Sequence, residues 1–398
     1  TDDISGLADG AVNLCVVGRD TAGNYQPYSA ATAATWTKDT SAPVATITGQ
    51  PTGVSGTTAL NVDVAGADIQ YYRYKVGETA ATDCVSAAGY GVAVAESANI
   101  TDDISALGDV SITLCVVGQN SASQWQPYAS ATTASWTKDT TAPTVAIGAP
   151  STSPISSTGS SSFAVTYTGA DTVNLTNANI SQTGTTTCGT VNVSGGTTAA
   201  PTVTLSNCAG NGTVAITVAA NTASDTAGNW NLAEGPSAEF TVDNINPTVG
   251  LTVSPTINLL NYTAYTVSGS CSDNGIAVTV TVGGLVSDTP TCTSGAFTTA
   301  PMNVGSVPDG ASVSVTASQT DAAGNSGIGS ATVLKDTVRP TVAMGAPSAT
   351  LVNAAGSVTC GITYTGADTV DLLPTGVTLG RTGTADCAVN VLNGTTAT

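Results

Sequence analysis

Aspartate recurs in this chain at three kinds of place, and three carboxylates meeting at one point could hold a hard cation. The first kind ends a β-rich stretch just before a proline: Asp39, Asp139, Asp243 and Asp336. The second follows the second β-rich run of a repeat: Asp68, Asp171, Asp273 and Asp368. The third opens an Asp-x-Ala-Gly-Asn turn: Asp20, Asp225 and Asp321. Calcium takes six to eight oxygens, several of them carboxylate. In a two-sheet sandwich the turns after the second and before the last strand share one end, where the preceding linker also arrives. Asp139, Asp171 and Asp225 would then converge at one junction, and Asp243, Asp273 and Asp321 at the next. The competing reading makes them turn residues, because Asp and Asn bond their own backbone in tight turns. Asn120 stands where an Asp is needed at the first complete junction, and paired Asp-x-Asp ligands are missing. Both readings stay open at this point.

Other chemistry is thinner. The chain has no His, so no His-dependent triad or His metal site can form. Carboxylate pairs remain, but the Asp residues sit at repeated turn positions, which favours structural roles. No catalytic residue is assigned, and the chain is read as non-enzymatic. Trp36, Trp125, Trp136 and Trp230 are candidates for a sugar-stacking platform. Trp36 and Trp136 fall in equivalent last strands and read as packing residues, whereas Trp125 and Trp230 follow the late turn. Sequons begin at Asn99, Asn174, Asn179, Asn192, Asn211, Asn261 and Asn393, so glycans are an option where a host can add them.

The elements that must position these residues are strands. Thr and Val suit half-buried pleated strands, and Gly supplies turns; together with Ser and Ala they make up most of the sequence. Charged residues are 9% and hydrophobic ones 41%. No long stretch has a helical apolar period, and none is apolar enough to span a membrane. The net charge of −19, with only 8 basic residues, leaves no basic face for nucleic acid or anionic lipid. The fold class expected is all-β.

Prolines punctuate the pattern. Pro43, Pro143, Pro247 and Pro340 each follow a polar boundary such as Trp136-Thr-Lys-Asp-Thr-Thr-Ala-Pro143, at spacings of 100, 104 and 93. Proline lacks an N–H and sits badly inside a central strand, so it closes one unit and stiffens the start of the next. A period near 100 residues built of short strands has the size of an immunoglobulin-like sandwich. Residues 1–43 match 101–143 without a gap. The expected division is therefore 1–41, the back half of a domain; 42–142, a complete first type; 143–246, a second type; 247–339, a third; and 340–398, the front half of the second type again. Tyr364-Thr-Gly-Ala-Asp-Thr-Val370 repeats Tyr167-Thr-Gly-Ala-Asp-Thr-Val173.

Nine Cys occur mostly two per repeat, without metal-type C-x-x-C spacing. They are read as structural disulfides, Cys84–Cys115, Cys188–Cys208 and Cys271–Cys292, in an oxidising compartment outside the cytoplasm. Cys387 stands two residues from the place of Cys188, and Cys360 has no counterpart.

The boundary prolines, Tyr71-Tyr-Arg-Tyr-Lys75, the Tyr-Thr-Gly-Ala-Asp pairs, Gly235-Pro-Ser-Ala-Glu-Phe240 and the Asp-x-Ala-Gly-Asn turns resemble the bacterial Ig-like repeats of very large secreted and cell-surface proteins. The resemblance covers essentially the whole chain. It implies tandem immunoglobulin-like sandwiches arranged as a rod, in stalks, adhesins or extracellular fibres, and it supplies no catalytic residues. The expected function is a structural segment of such a fibre or surface protein. The alternative is an adhesin stalk with calcium-rigidified junctions and its ligand or glycan site elsewhere. The end segments, 59 and 41 residues long, add to one repeat. Either the stretch is a window on a longer array, or copies join with Thr398 leading to the next Thr1, which would let Cys387 and Cys15 pair between copies. The partner expected in that case is a further copy of the chain.

Overall fold

The computed structural model describes residues 1–252, 255–380, 382–383 and 387–395. It divides into two compact units, Thr1–Val242 and Asp243–Thr398. Helix among the described residues is limited to three-residue 3-10 turns such as Tyr128–Ser130.

Alternation builds the strands. In Ser160–Thr168, Ser161, Phe163, Val165 and Tyr167 are buried, while Ser160, Ala164, Thr166 and Thr168 face solvent. In Val278–Val282 the three valines are buried and Thr279 is exposed. Successive side chains point to opposite faces of a pleated strand, so such a sequence buries one face only.

Three two-sheet sandwiches follow one another. The first sets a five-stranded sheet, in the order Val54–Ser55, Thr132–Lys138, Ser111–Asn120, Ile69–Glu78 and Val94–Ala95, against Thr46–Thr48 paired with Asp63–Ala65. The second sets Thr144–Ile147, Ser160–Thr168, Thr202–Ala209 and Thr187–Ser194 against Ile180–Gly184, Gly212–Val218 and Phe240–Val242. The third sets Val249–Leu251, Ser268–Cys271 and Ala296–Thr298 against Val286–Asp288, Val278–Val282, Gly310–Thr320 and Ser326–Lys335. This strand order is that of an immunoglobulin-like sandwich. Each has its own core. In the second, Phe163 and Phe240 meet at 6.0 Å between ring centroids and come from opposite sheets.

One pairing recurs and matters for load. A short early segment runs parallel to the last strand: Val54–Ser55 beside Thr137–Lys138, Ile155 beside Val242, and Ile257 beside Lys335. Parallel first and last segments mean that the chain comes in at one end of a sandwich and leaves at the other.

The outer face of the five-stranded sheet is covered as well. Ser111–Asn120 is buried on both faces: Ile112, Leu114 and Val116 point into the core, while Cys115 and Val117 lie opposite. The loop after Ile69–Glu78 folds over that second face. Cys84 is bonded to Cys115, and the Lys75 ammonium donates to the Ser86 and Ala88 carbonyls at 2.9 Å each and to the Asp83 carbonyl. Lys75 also sits 4.6 Å from the centre of the Tyr90 ring, which packs on Tyr128.

The flanking segments form single hairpins: Gly10–Val16 with Thr32–Lys38, and Thr341–Met344 with Ile362–Thr365. Leu14, Val16 and Trp36 are 47%, 55% and 39% exposed, whereas their repeat equivalents Leu114, Val116 and Trp136 are 0%, 0% and 3% exposed.

Candidate functional site at the sandwich junctions

The Asp-x-Ala-Gly-Asn turn before a last strand is tied by its own side chains. The Asp225 carboxylate accepts from the Asn229 backbone N–H at 2.8 Å with one oxygen and from the Asn229 amide at 2.9 Å with the other. Asp321 repeats this with Asn325, at 2.8 Å for each. The second hydrogen of each Asn amide reaches the incoming linker: Asn229 Nδ2 donates to the Asp139 carbonyl at 2.9 Å, and Asn325 Nδ2 to the Asp243 carbonyl at 2.8 Å. At the first junction Asn120 Nδ2 donates to Asp39 Oδ2 at 2.9 Å and to the Ser41 carbonyl at 3.0 Å. The turn thus grips the preceding linker through an amide.

The remaining expected ligands are also committed locally. Asp171 Oδ2 accepts from the Thr226 N–H at 2.8 Å and its hydroxyl at 2.6 Å. Asp139 and Asp243 each cap a turn two residues on, at Thr141 and Ile245. Asp273 accepts from the Ser272 hydroxyl at 2.7 Å. Among the described residues no group of three or more His, Cys, Asp or Glu side chains is placed to share a metal ion. The expected sets Asp139, Asp171, Asp225 and Asp243, Asp273, Asp321 are not placed in such a group. An Asn amide links the turn carboxylate to the incoming linker carbonyl at each of these two junctions. At the junction of the first and second sandwiches the contact is close. The Gly56 N–H donates to the Ala227 carbonyl at 3.2 Å, and a Cβ at Gly56 would lie 2.8 Å from Asn229 Oδ1.

A second device was not anticipated from sequence. Lys138 and Lys335, each 3% exposed, reach Asp109 and Asp309 at 3.1 and 2.6 Å. The same carboxylates accept from the linker that follows, from the Thr140 and Thr141 hydroxyls and from Thr337 through both its N–H and its hydroxyl. A buried ammonium needs such a partner. The signal was present as Lys-Asp-Thr at the end of the last strand of the first and third sandwiches, with Asp109 and Asp309 before the preceding strand, but the Lys was read as part of a boundary rather than as a core cation.

These contacts set a pH dependence. Bonds from the Thr140 backbone, the Thr141 hydroxyl and the Lys138 ammonium hold the Asp109 carboxyl well below its usual 3.8. The Lys335 ammonium, then the Thr337 N–H, lower Asp309. For Asp321, burial pushes upward but the Asn325 bonds outweigh it. A carboxyl whose folded value is depressed adds stability that is complete above the unfolded value and is lost as pH falls through the folded one. With no His in the chain, we expect a melting temperature that stays level from neutral pH to about pH 4 and falls below it. Calorimetry across pH 2–8 checks this; a loss centred between pH 5 and 7 would contradict it.

The cysteines pair as Cys84–Cys115, Cys188–Cys208 and Cys271–Cys292. Cys15, Cys360 and Cys387 are free and exposed. Thr398, the expected joining residue, lies outside the described residues. Trp136 is core and Trp230 is 51% exposed. Trp125 is half-buried under the Arg73 guanidinium, 4.5 Å from its ring centre. The four Trp therefore form no common platform.

No protein-family model matches the chain, and no curated protein matches it in sequence. Solved structures show distant likenesses. One, described as insight into host cell surface retention of a 1.5-MDa bacterial ice-binding adhesin, is 19% identical with a TM-score of 0.36, covering 75% of this chain and 100% of that one. A tetra-tandem repeat from the extending region of a large adhesion protein is 21% identical with a TM-score of 0.32, covering 84% of each. Titin domains A168–A170 are 12% identical with a TM-score of 0.27, covering 74% of this chain and 100% of theirs. The sandwich assignment rests on the strand order above.

Proposed function

We propose that this segment is a structural, non-catalytic part of an extracellular fibre or large surface protein, in which immunoglobulin-like sandwiches transmit load as a tandem rod. The observation that carries the reading is the parallel pairing of early and last segments in all three sandwiches. Tension pulls those two segments in opposite directions along their length. Their hydrogen bonds are then sheared together instead of being unzipped one at a time. The disulfides limit how far a failed sandwich extends, and their presence fits an oxidising compartment outside the cytoplasm. The amide latches at the linkers restrict bending. Copies of the chain are the partner in this reading, and no site for nucleic acid or sugar is assigned.

Single-molecule pulling tests it. Each complete sandwich should give one discrete rupture, with forces well above those that straighten the linkers. Smooth extension at low force would sink the proposal. The adhesin-stalk alternative differs in needing calcium at the junctions. Ruptures and melting that are the same in chelator and in calcium support amide-latched junctions, and a clear calcium-dependent gain supports the stalk.

A further inference from the structure

The last strands of the three sandwiches end at equivalent residues, and one of them lacks what holds the other two. Gly212 pairs with Val242 as Gly310 pairs with Lys335, and in the first sandwich Lys138 donates its N–H to the Val110 carbonyl at 2.9 Å. Lys138, Val242 and Lys335 thus occupy one position, each followed by a boundary aspartate, Asp139, Asp243 or Asp336. The residues just before Val110, Gly212 and Gly310 are Asp109, Asn211 and Asp309. In the first and third sandwiches the two positions make the ion pairs Lys138–Asp109 and Lys335–Asp309, and the same carboxylates hold Thr140, Thr141 and Thr337 of the outgoing linker. In the second they are Val and Asn, which cannot form an ion pair.

The ladder is shorter there as well. Phe240–Val242 pairs over three residues with Gly212–Val214. Thr132–Lys138 pairs over six with its neighbour, and Ser326–Lys335 over nine. Ahead of Phe240, Ser237 and Glu234 bond Ile216 and Val218 separately, and residues 238–239 belong to no strand. Tension reaches a sandwich at this end of its last strand. Where Lys and Asp meet, charge-assisted hydrogen bonds tie that end to the neighbouring strand, and such bonds are short and directional. Val242 is 1% exposed and adds apolar contact, which is non-directional and lets a strand slide.

We propose that the second sandwich is the force fuse of this segment: it opens first under load, while the Lys–Asp clamps keep the first and third closed. The inference rests on the load-bearing reading above and gives it an order. The fuse is recognisable by its length. Thr144 to Val242 spans 98 residues, of which the Cys188–Cys208 bond holds back 20. Thr46 to Lys138 spans 92, with 31 held back, and Val249 to Lys335 spans 86, with 21 held back. At about 3.4 Å per extended residue, the second sandwich releases about 265 Å of contour, against about 210 Å for the first and about 220 Å for the third.

The experiment pulls the whole segment, oxidised and tethered through tags at its two ends, in an optical trap. The longest step should come first in most records, whereas three equally resistant sandwiches would give that order in about one record in three, since forced opening follows the unfolding rates. Lys138→Met together with Lys335→Met keeps the apolar stems and removes the charges, and the share of records that begin with the longest step should fall. Asn211→Asp together with Val242→Lys installs a clamp in the second sandwich and should move its step later; the step itself shows that the variant has folded. Smooth extension overturns the load-bearing reading and the fuse with it. Three ruptures whose longest step falls at random or last overturn the fuse and leave the load-bearing reading standing. An order that the two Lys→Met replacements do not change also overturns the proposal, because the clamps would then not set it.

Discussion

Reducing the disulfides lengthens each rupture in a pulling record by the loop that the bond had held back. Cys84–Cys115 spans 31 residues, Cys188–Cys208 spans 20 and Cys271–Cys292 spans 21. At about 3.4 Å per extended residue, the expected gains are about 100 Å for the first sandwich and about 65 Å for each of the others. Equilibrium stability falls as well, because a closed loop limits the unfolded ensemble. Loops of this size correspond to about 3–4 kcal/mol each. The first sandwich should show the clearest change, since the same bond pins the loop over Cys115 and Val117 and keeps that outer sheet face dry. Denaturant melts with and without reductant, read beside the pulling records, check both parts. Unchanged rupture lengths in reductant would show that the bonds do not bear on extension.

The strand content was legible because alternation is a local property. Ser160–Thr168 and Val278–Val282 state their buried face in their own sequence. Proline is excluded from central strands for a backbone reason that neighbours cannot override, which is why Pro43, Pro143, Pro247 and Pro340 were expected to close units. The pairing of Cys84 with Cys115 followed from their count and spacing per repeat. The junctions were less legible. An Asp that binds calcium and an Asp that caps a turn are the same letter, and the bonds of Asp225 to Asn229 and of Asp321 to Asn325 become visible only in the fold. Asn229 and Asn325 look like turn residues in sequence, and their grip on the Asp139 and Asp243 carbonyls spans 90 and 82 residues of chain. The Lys138 and Lys335 ammonium groups were missed for a similar reason. Lysine is rarely buried unless paired, and the partners Asp109 and Asp309 lie in a different part of each repeat.

Trp136 and Trp230 show how differently one residue type can count in the same chain. Trp136 is 3% exposed and packs in the core of the first sandwich with Ile112, Leu114 and Val116, whereas Trp230 is 51% exposed. Trp136→Ala should cost about 3–5 kcal/mol, as for a large side chain removed from a closed core. Trp230→Ala should cost about 1 kcal/mol or less, because a half-exposed side chain leaves little cavity behind. Denaturant melts of both variants check the difference. Equal costs at the two positions would show that the first core does not depend on Trp136, and a large cost at Trp136 alone ties the stability of that sandwich to the closure of its last strand.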